Sequence, residues 1–182
     1  TALLPCTVSA LVAHFFAERV LKVTEPELAL KMVSEIDWKS ALATIALAIV
    51  ASLVSVLFIL SAHKAKSLFT KYIRNPYFRI MLSGALVFLG TLLVGSGTYN
   101  GTGMDIIVKT IQESGYRVFF LAFLLKILFT AVSLGGGFQG GEIVPSLFIG
   151  ATLGNAMQSF LPLDPGLCAA LGMACVFCGV TN

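Results

Sequence analysis

Residues 135–145 read Gly-Gly-Gly-Phe-Gln-Gly-Gly-Glu-Ile-Val-Pro. Five of the first seven are glycine, and the run lies in otherwise apolar sequence. Backbone this irregular is very costly against lipid, so it belongs inside protein or beside a water-filled cavity. Pro145 suits the first turn of a helix, where its missing N–H costs nothing. The expected helix runs from about Ile143 toward Phe160 and stops before Pro162. Its first N–H groups have no partner within the helix, and with the positive end of the helix dipole they form an anion site. Glycines let an ion come close to that backbone. A small desolvated halide needs several fixed dipoles rather than a full countercharge that would trap it. The candidate anion-binding residues are therefore Gly140, Gly141, Glu142, Ile143, Val144 and Pro145.

Glu142 and Lys126 are the two charged residues whose setting invites chemistry. A carboxyl at the start of a membrane-embedded helix is a functional candidate. Burial favours its neutral form and the helix N-terminus its charged form, which makes Glu142 a proton-coupling candidate. The plainer reading is a residue that caps its own helix. The glycines and Glu142 could also form a cation site in an unrelated secondary transporter, where broken helices meet at the midplane. Lys126 sits at the middle of an apolar run. Its ammonium either snorkels or pairs locally, or faces a polar cavity and raises the local potential for anions. Gly150 and Gly154 have the spacing of a small-residue packing seam, a reading that does not account for the glycines before Pro145.

The elements that must hold these residues are apolar spans. With 57% hydrophobic and 12% charged residues, the chain cannot coat a soluble surface, since soluble domains carry about 25% charged residues. Runs at 1–17, 40–62, 80–94, 118–134, 144–161 and 167–182 are candidate crossings. Several are short and interrupted by Gly or Pro, the mark of broken or tilted helices. Residues 18–39 mix charges and contain Pro26, so they read as a water-exposed, extracellular connection with a short amphipathic helix at 26–36. Trp38 then stands where an interfacial anchor belongs. Residues 63–79 carry Lys64, Lys66, Lys71, Arg74 and Arg79 with no acid, and read as a cytoplasmic basic loop. Residues 95–103 form a Gly-rich turn or re-entrant tip, and 105–117 a short amphipathic segment.

A net charge of +3, scattered along the chain, does not suggest nucleic-acid binding. Cys175 and Cys178 have a two-residue gap, but their apolar surroundings and the lack of a second ligand pair favour helix packing. His14 and His63 are far apart, so no metal or cofactor is expected, and no catalytic constellation points to an enzyme. The chain starts at Thr1 without a signal-peptide pattern and stops at the end of an apolar run, as an excised piece of a longer protein would.

The stretch Gly141-Glu142-Ile143-Val144-Pro145 resembles the G-x-F-x-P anion-binding motif of the CLC chloride channel and transporter family, continuing through Ser146-Leu147 and Ile149-Gly150-Ala151 to Gly154. Lys126, residues 130–135 and residues 171–182 are similar to that family too. Ile143 stands where the family usually has Phe. The Gly-Gly-Glu start looks like the fluoride-exporting branch, often Gly-Gly-Glu-Val-Thr-Pro, although Val144 replaces the Thr. The resemblance implies an all-α membrane protein, part of a CLC-type inverted-repeat fold with broken, tilted helices spanning 1–182. It implies chloride or fluoride and protons as the transported species, a bilayer as solvent, and a multi-pass protein of the plasma (bacterial inner) membrane. It also implies a homodimer, with Leu4, Val8 and Leu11 facing the second subunit. The family's early Ser-containing anion loop, its gating-glutamate loop and its late tyrosine have no counterpart here, so only part of an ion pathway is expected.

Overall fold

The computed structural model describes residues 3–22, 37–95, 97–113 and 115–181. They form α1 (Leu3–Arg19), α2 (Trp38–Tyr72), α3 (Pro76–Val94), a 3-10 turn (Gly97–Tyr99), α4 (Met104–Gln112), α5 (Ala122–Gly136), α6 (Ile143–Met157) and α7 (Pro165–Thr181). The expected helix at 26–36 lies outside the described residues. Of the 18–39 connection, Glu18 and Arg19 end α1, while Trp38 and Lys39 open α2.

Local chemistry sets the helix ends. Asn75 precedes Pro76, and its side chain accepts the Tyr77 N–H at 3.0 Å, a cap followed by proline at the first helical position. Asp164 does the same before Pro165, accepting the Gly166 N–H at 3.1 Å. α5 stops at Gly137, whose φ of 103° only glycine adopts readily, and its N–H returns to the Leu134 carbonyl at 3.1 Å.

The core forms where α6 passes between its neighbours. One apolar cluster joins Ile106, Ile107 and Ile111 of α4 to Ala122 and Phe129 of α5, Phe148 and Ala151 of α6, and Ala169 of α7. The other joins Ala51, Val54 and Phe58 of α2 to Ile127, Ile149, Leu153 and Val176. Every residue from Phe148 to Asn155 is buried, as suits a helix apolar on all sides. Asn155 binds outward from this core: its Nδ2 donates to the Tyr116 carbonyl at 2.8 Å and its Oδ1 accepts the Val118 N–H at 3.0 Å. By contrast, α3 buries only Ser83, whose hydroxyl donates to the Val132 carbonyl at 2.7 Å. Leu86, Phe88, Leu89, Leu92 and Leu93 of α3 are exposed, with Leu42, Ile45, Ile49 and Leu53 of α2. Apolar surface this extensive marks contact with lipid or further protein.

The basic segment is not the loop expected at 63–79. α2 continues through Tyr72, only residues 73–75 connect it to α3, and Arg79 already lies in α3. Good helix formers such as Ala65, Lys66, Leu68 and Lys71 carry the helix past the end of its apolar half. Arg79 then ties three helices together, with Nε donating to the Gly136 carbonyl at 3.3 Å and Nη1 to the Thr70 hydroxyl at 3.2 Å.

The small-residue seam at Gly150 and Gly154 is present, and its partner is a matching seam on α7. A Cβ on Gly150 would strike the Gly172 carbonyl, and one on Gly154 the Cys168 carbonyl. Packing also claims two glycines of the 135–141 run. Gly135 and Gly136 are the buried last residues of α5, pressed on Ala65 and Ser83.

Candidate functional site

With Gly135, Gly136 and Gly137 spent on packing and on ending α5, Phe138, Gln139, Gly140 and Gly141 remain to carry the chain to α6. Glu142 is the N-cap, with φ −88° and ψ −14°, and its side chain makes no cap hydrogen bond. The capping role considered for it is therefore not taken up. The first backbone bond of the helix runs from the Ser146 N–H to the Glu142 carbonyl at 3.1 Å. Among the described residues, the N–H groups of Glu142, Ile143 and Val144 have no backbone acceptor. These are the orphan donors of a helix start, aligned with its positive dipole end. A Cβ added at Gly141 would meet nothing within 4 Å, so the backbone there is open to approach.

A cavity of ≈ 430 Å³ lies at this turn. Gly140, Gly141, Val144 and Pro145 form one wall, and Lys126, Thr130 and Ser133 of α5 another. The turn Tyr99-Asn100-Gly101-Thr102 closes a third side, and among the described residues no Asp or Glu lines the space. The turn is tethered to α3 through the Asn100 and Thr91 side chains, 2.9 Å apart. It leads into α4 at Gly103, where φ is 71° and a Cβ would strike Phe148, so both backbone and space demand glycine.

Lys126 is 4% exposed, so it does not snorkel. Its Nζ donates to the carbonyls of Tyr99 at 2.9 Å and Gly101 at 2.5 Å, and lies 5.0 Å from the centre of the Phe148 ring. Local pairing and a cavity-facing position, posed as alternatives by the sequence, hold together.

Glu142 opens to a different space. A second cavity of ≈ 370 Å³ is lined by His63 and Lys66 of α2 with Gln139, Gly140 and Glu142. Leu134, Phe138, Gln139 and Gly140 border both cavities and form the wall between them. Of the six candidate residues, four thus line the first cavity, Gly140 and Glu142 line the second, and Ile143 lines neither and is 54% exposed. The sequence did not point to Tyr99–Thr102, Phe138, Gln139, His63 or Lys66 as site residues. The available signal was a second Gly-rich break, at 95–103, in the same apolar context as the first.

The whole chain, residues 1–182, matches the family model described as "Voltage gated chloride channel". The chain belongs to this family. Among curated relatives, the CLC-type chain is 34% identical over 187 aligned residues to a chloride/fluoride channel protein of Pseudomonas syringae pv. tomato, covering 100% of this chain and 40% of that one. It is 32% identical over 124 residues to the H(+)/Cl(-) exchange transporter ClcA of Vibrio cholerae serotype O1, covering 62% of this chain and 26% of that one. Among solved structures, it superposes on a CLC-type fluoride/proton antiporter with a TM-score of 0.87 and 27% identity, over 99% of this chain and 45% of the other. The CLC-type chain therefore spans less than half the length of these relatives. Its fold is the all-α CLC-like membrane fold, and the relatives are channels and ion transporters.

Proposed function

We propose that the chain forms part of a halide pathway in a CLC-type transporter that exchanges chloride or fluoride against protons. The observation that carries this reading is the first turn of α6. Its N–H groups without a backbone acceptor follow Gly140 and Gly141, beside a cavity that no carboxylate of the described residues lines. Fixed backbone dipoles suit an ion that must bind and leave again. Glu142, on the other side of the shared wall, is the residue we assign to proton coupling. Its neighbour Lys66 argues against a resident cation, because like charges in one cavity repel. Fluoride is the second reading for the transported ion. It is favoured by the Gly-Gly-Glu start and by the structural likeness to a fluoride/proton antiporter.

The same reading places the protein in a plasma (bacterial inner) membrane as a homodimer, with residues 18–39 outside and the basic end of α2 in the cytoplasm. The deciding experiment reconstitutes the full-length protein in liposomes and follows chloride, fluoride and proton fluxes. Halide movement coupled to opposite proton movement is expected. Selective cation flux with no halide flux would overturn the reading.

A further inference from the structure

We propose that Lys126 is a specificity-determining residue, holding an unneutralised positive charge on the wall of the α6 cavity and so making that space selective for anions. The inference rests on the halide reading and adds a second source of anion preference to the helix N-terminus. A lysine buried among membrane helices is expensive and needs a reason. The usual reason is an ion pair, and here the partners are of another kind. The ammonium is held by two main-chain carbonyls and the face of one ring, all uncharged. Such partners stabilise a cation while leaving its charge uncancelled, unlike a carboxylate. Among the described residues the lining contains no Asp or Glu, and Glu142 opens into the neighbouring cavity. The field of Lys126 therefore adds to that of the α6 N-terminus within one small space. A low-dielectric setting lengthens its reach.

A competing role is mechanical, since the same two hydrogen bonds strap the Tyr99–Gly101 turn to α5. Charge and strap separate by substitution. Lys126→Gln is neutral and Lys126→Arg keeps the charge. Thr130→Asp places a carboxylate one helical turn away, on the same cavity wall, with the lysine and its bonds in place. Thr130→Asn is its uncharged counterpart.

The measurement is binding of chloride and of fluoride to the full-length protein in detergent, by titration calorimetry. Lys126→Gln should weaken halide binding on the order of tenfold, as should Thr130→Asp relative to Thr130→Asn. Lys126→Arg should recover most of what Lys126→Gln loses. If Thr130→Asp binds halide as tightly as Thr130→Asn, the proposal is overturned whatever the Lys126 variants do, because the lysine then acts as a strap alone. If Lys126→Gln does not fold, Lys126→Met, neutral and of similar length, takes its place. Halide binding that is intact in the parent protein but indifferent to these charges refutes only the role of Lys126. A parent protein that binds no halide refutes the pathway reading, and this proposal with it.

Discussion

Gly141 and Glu142 are neighbours with separate tasks, and substitution should separate them. Gly141 has an ordinary backbone conformation and open space beside it, so a side chain there strains nothing. Gly141→Val should leave thermal stability within about 0.5 kcal/mol, the usual range for a site without special contacts. It should still lower halide flux at least tenfold, on the order of what crowding a close backbone approach costs. Loss of flux together with collapse of the fold would make Gly141 a structural residue. Glu142→Gln keeps volume and backbone donors and removes only titration. Halide binding should persist, while proton stoichiometry and the pH dependence of transport change. If coupling, selectivity and pH profile all stay as they were, Glu142 has no part in proton transfer. The sequence exposed these two residues because glycines and a carboxyl in apolar sequence are costly without a use. It could not tell Gly140 and Gly141, which face the cavity, from Gly135 and Gly136, which pack. Their difference lies in where α5 ends and what it touches. Gln139 and His63 carried no such cost and stayed silent.

At the scale of elements, α6 is held in position by its seam with α7, and the accuracy of the helix start depends on that seam. At Gly154 an added Cβ would meet the Cys168 carbonyl and the Ala169 Cα, both main-chain atoms with no flexible side chain to yield. Gly154→Val should therefore cost about 2 kcal/mol or more through overpacking. The readout is thermal unfolding of the full-length protein in detergent, against Gly97→Ala, where a Cβ meets nothing within 4 Å. Equal unfolding temperatures for the two would show that the helices part easily and that the seam does not position the site. The spacing of Gly150 and Gly154 was readable as a packing face, since i and i+4 share one side of a helix. Its counterpart, Cys168 and Gly172, follows the same spacing but is not announced as the partner, because pairing of two helices is decided in three dimensions. Helix ends were legible where Asn75-Pro76 and Asp164-Pro165 act as local signals. The end of α2 was not, because a basic segment reads equally well as a loop or as a helix leaving the membrane.

At the scale of the whole molecule, two surfaces remain to be matched with surroundings. α1 exposes Val8 (52%) and Leu11 (68%), two members of the face expected to meet a second subunit; the side chain of Leu4 lies outside the described residues. With Val8→Trp and Leu11→Trp combined, the full-length protein should shift from dimer to monomer in detergent, as read by light scattering. An unchanged mass would place the interface elsewhere.

The second surface is the long α2. Its 35 residues span about 52 Å at 1.5 Å per residue, against a hydrocarbon core of roughly 30 Å. Tilt alone absorbs only part of that excess. The uncharged part at 40–62 fits the core, so the basic end, with Lys64, Lys66 and Lys71, must emerge on one side. We propose that this side is the cytoplasm, because five basic residues and no acid lie across 63–79. Lys71 and Trp38 are both exposed near opposite ends of the helix. Each can be replaced by Cys in full-length protein whose native cysteines have been removed. In intact cells an impermeant thiol reagent should label Trp38→Cys directly and Lys71→Cys only after permeabilisation. The reverse pattern would invert the topology and put Lys66 and Glu142, which share one cavity, on the external side. The proton pathway assigned to Glu142 would then open outward, so the labelling result fixes the direction in which coupling has to be understood.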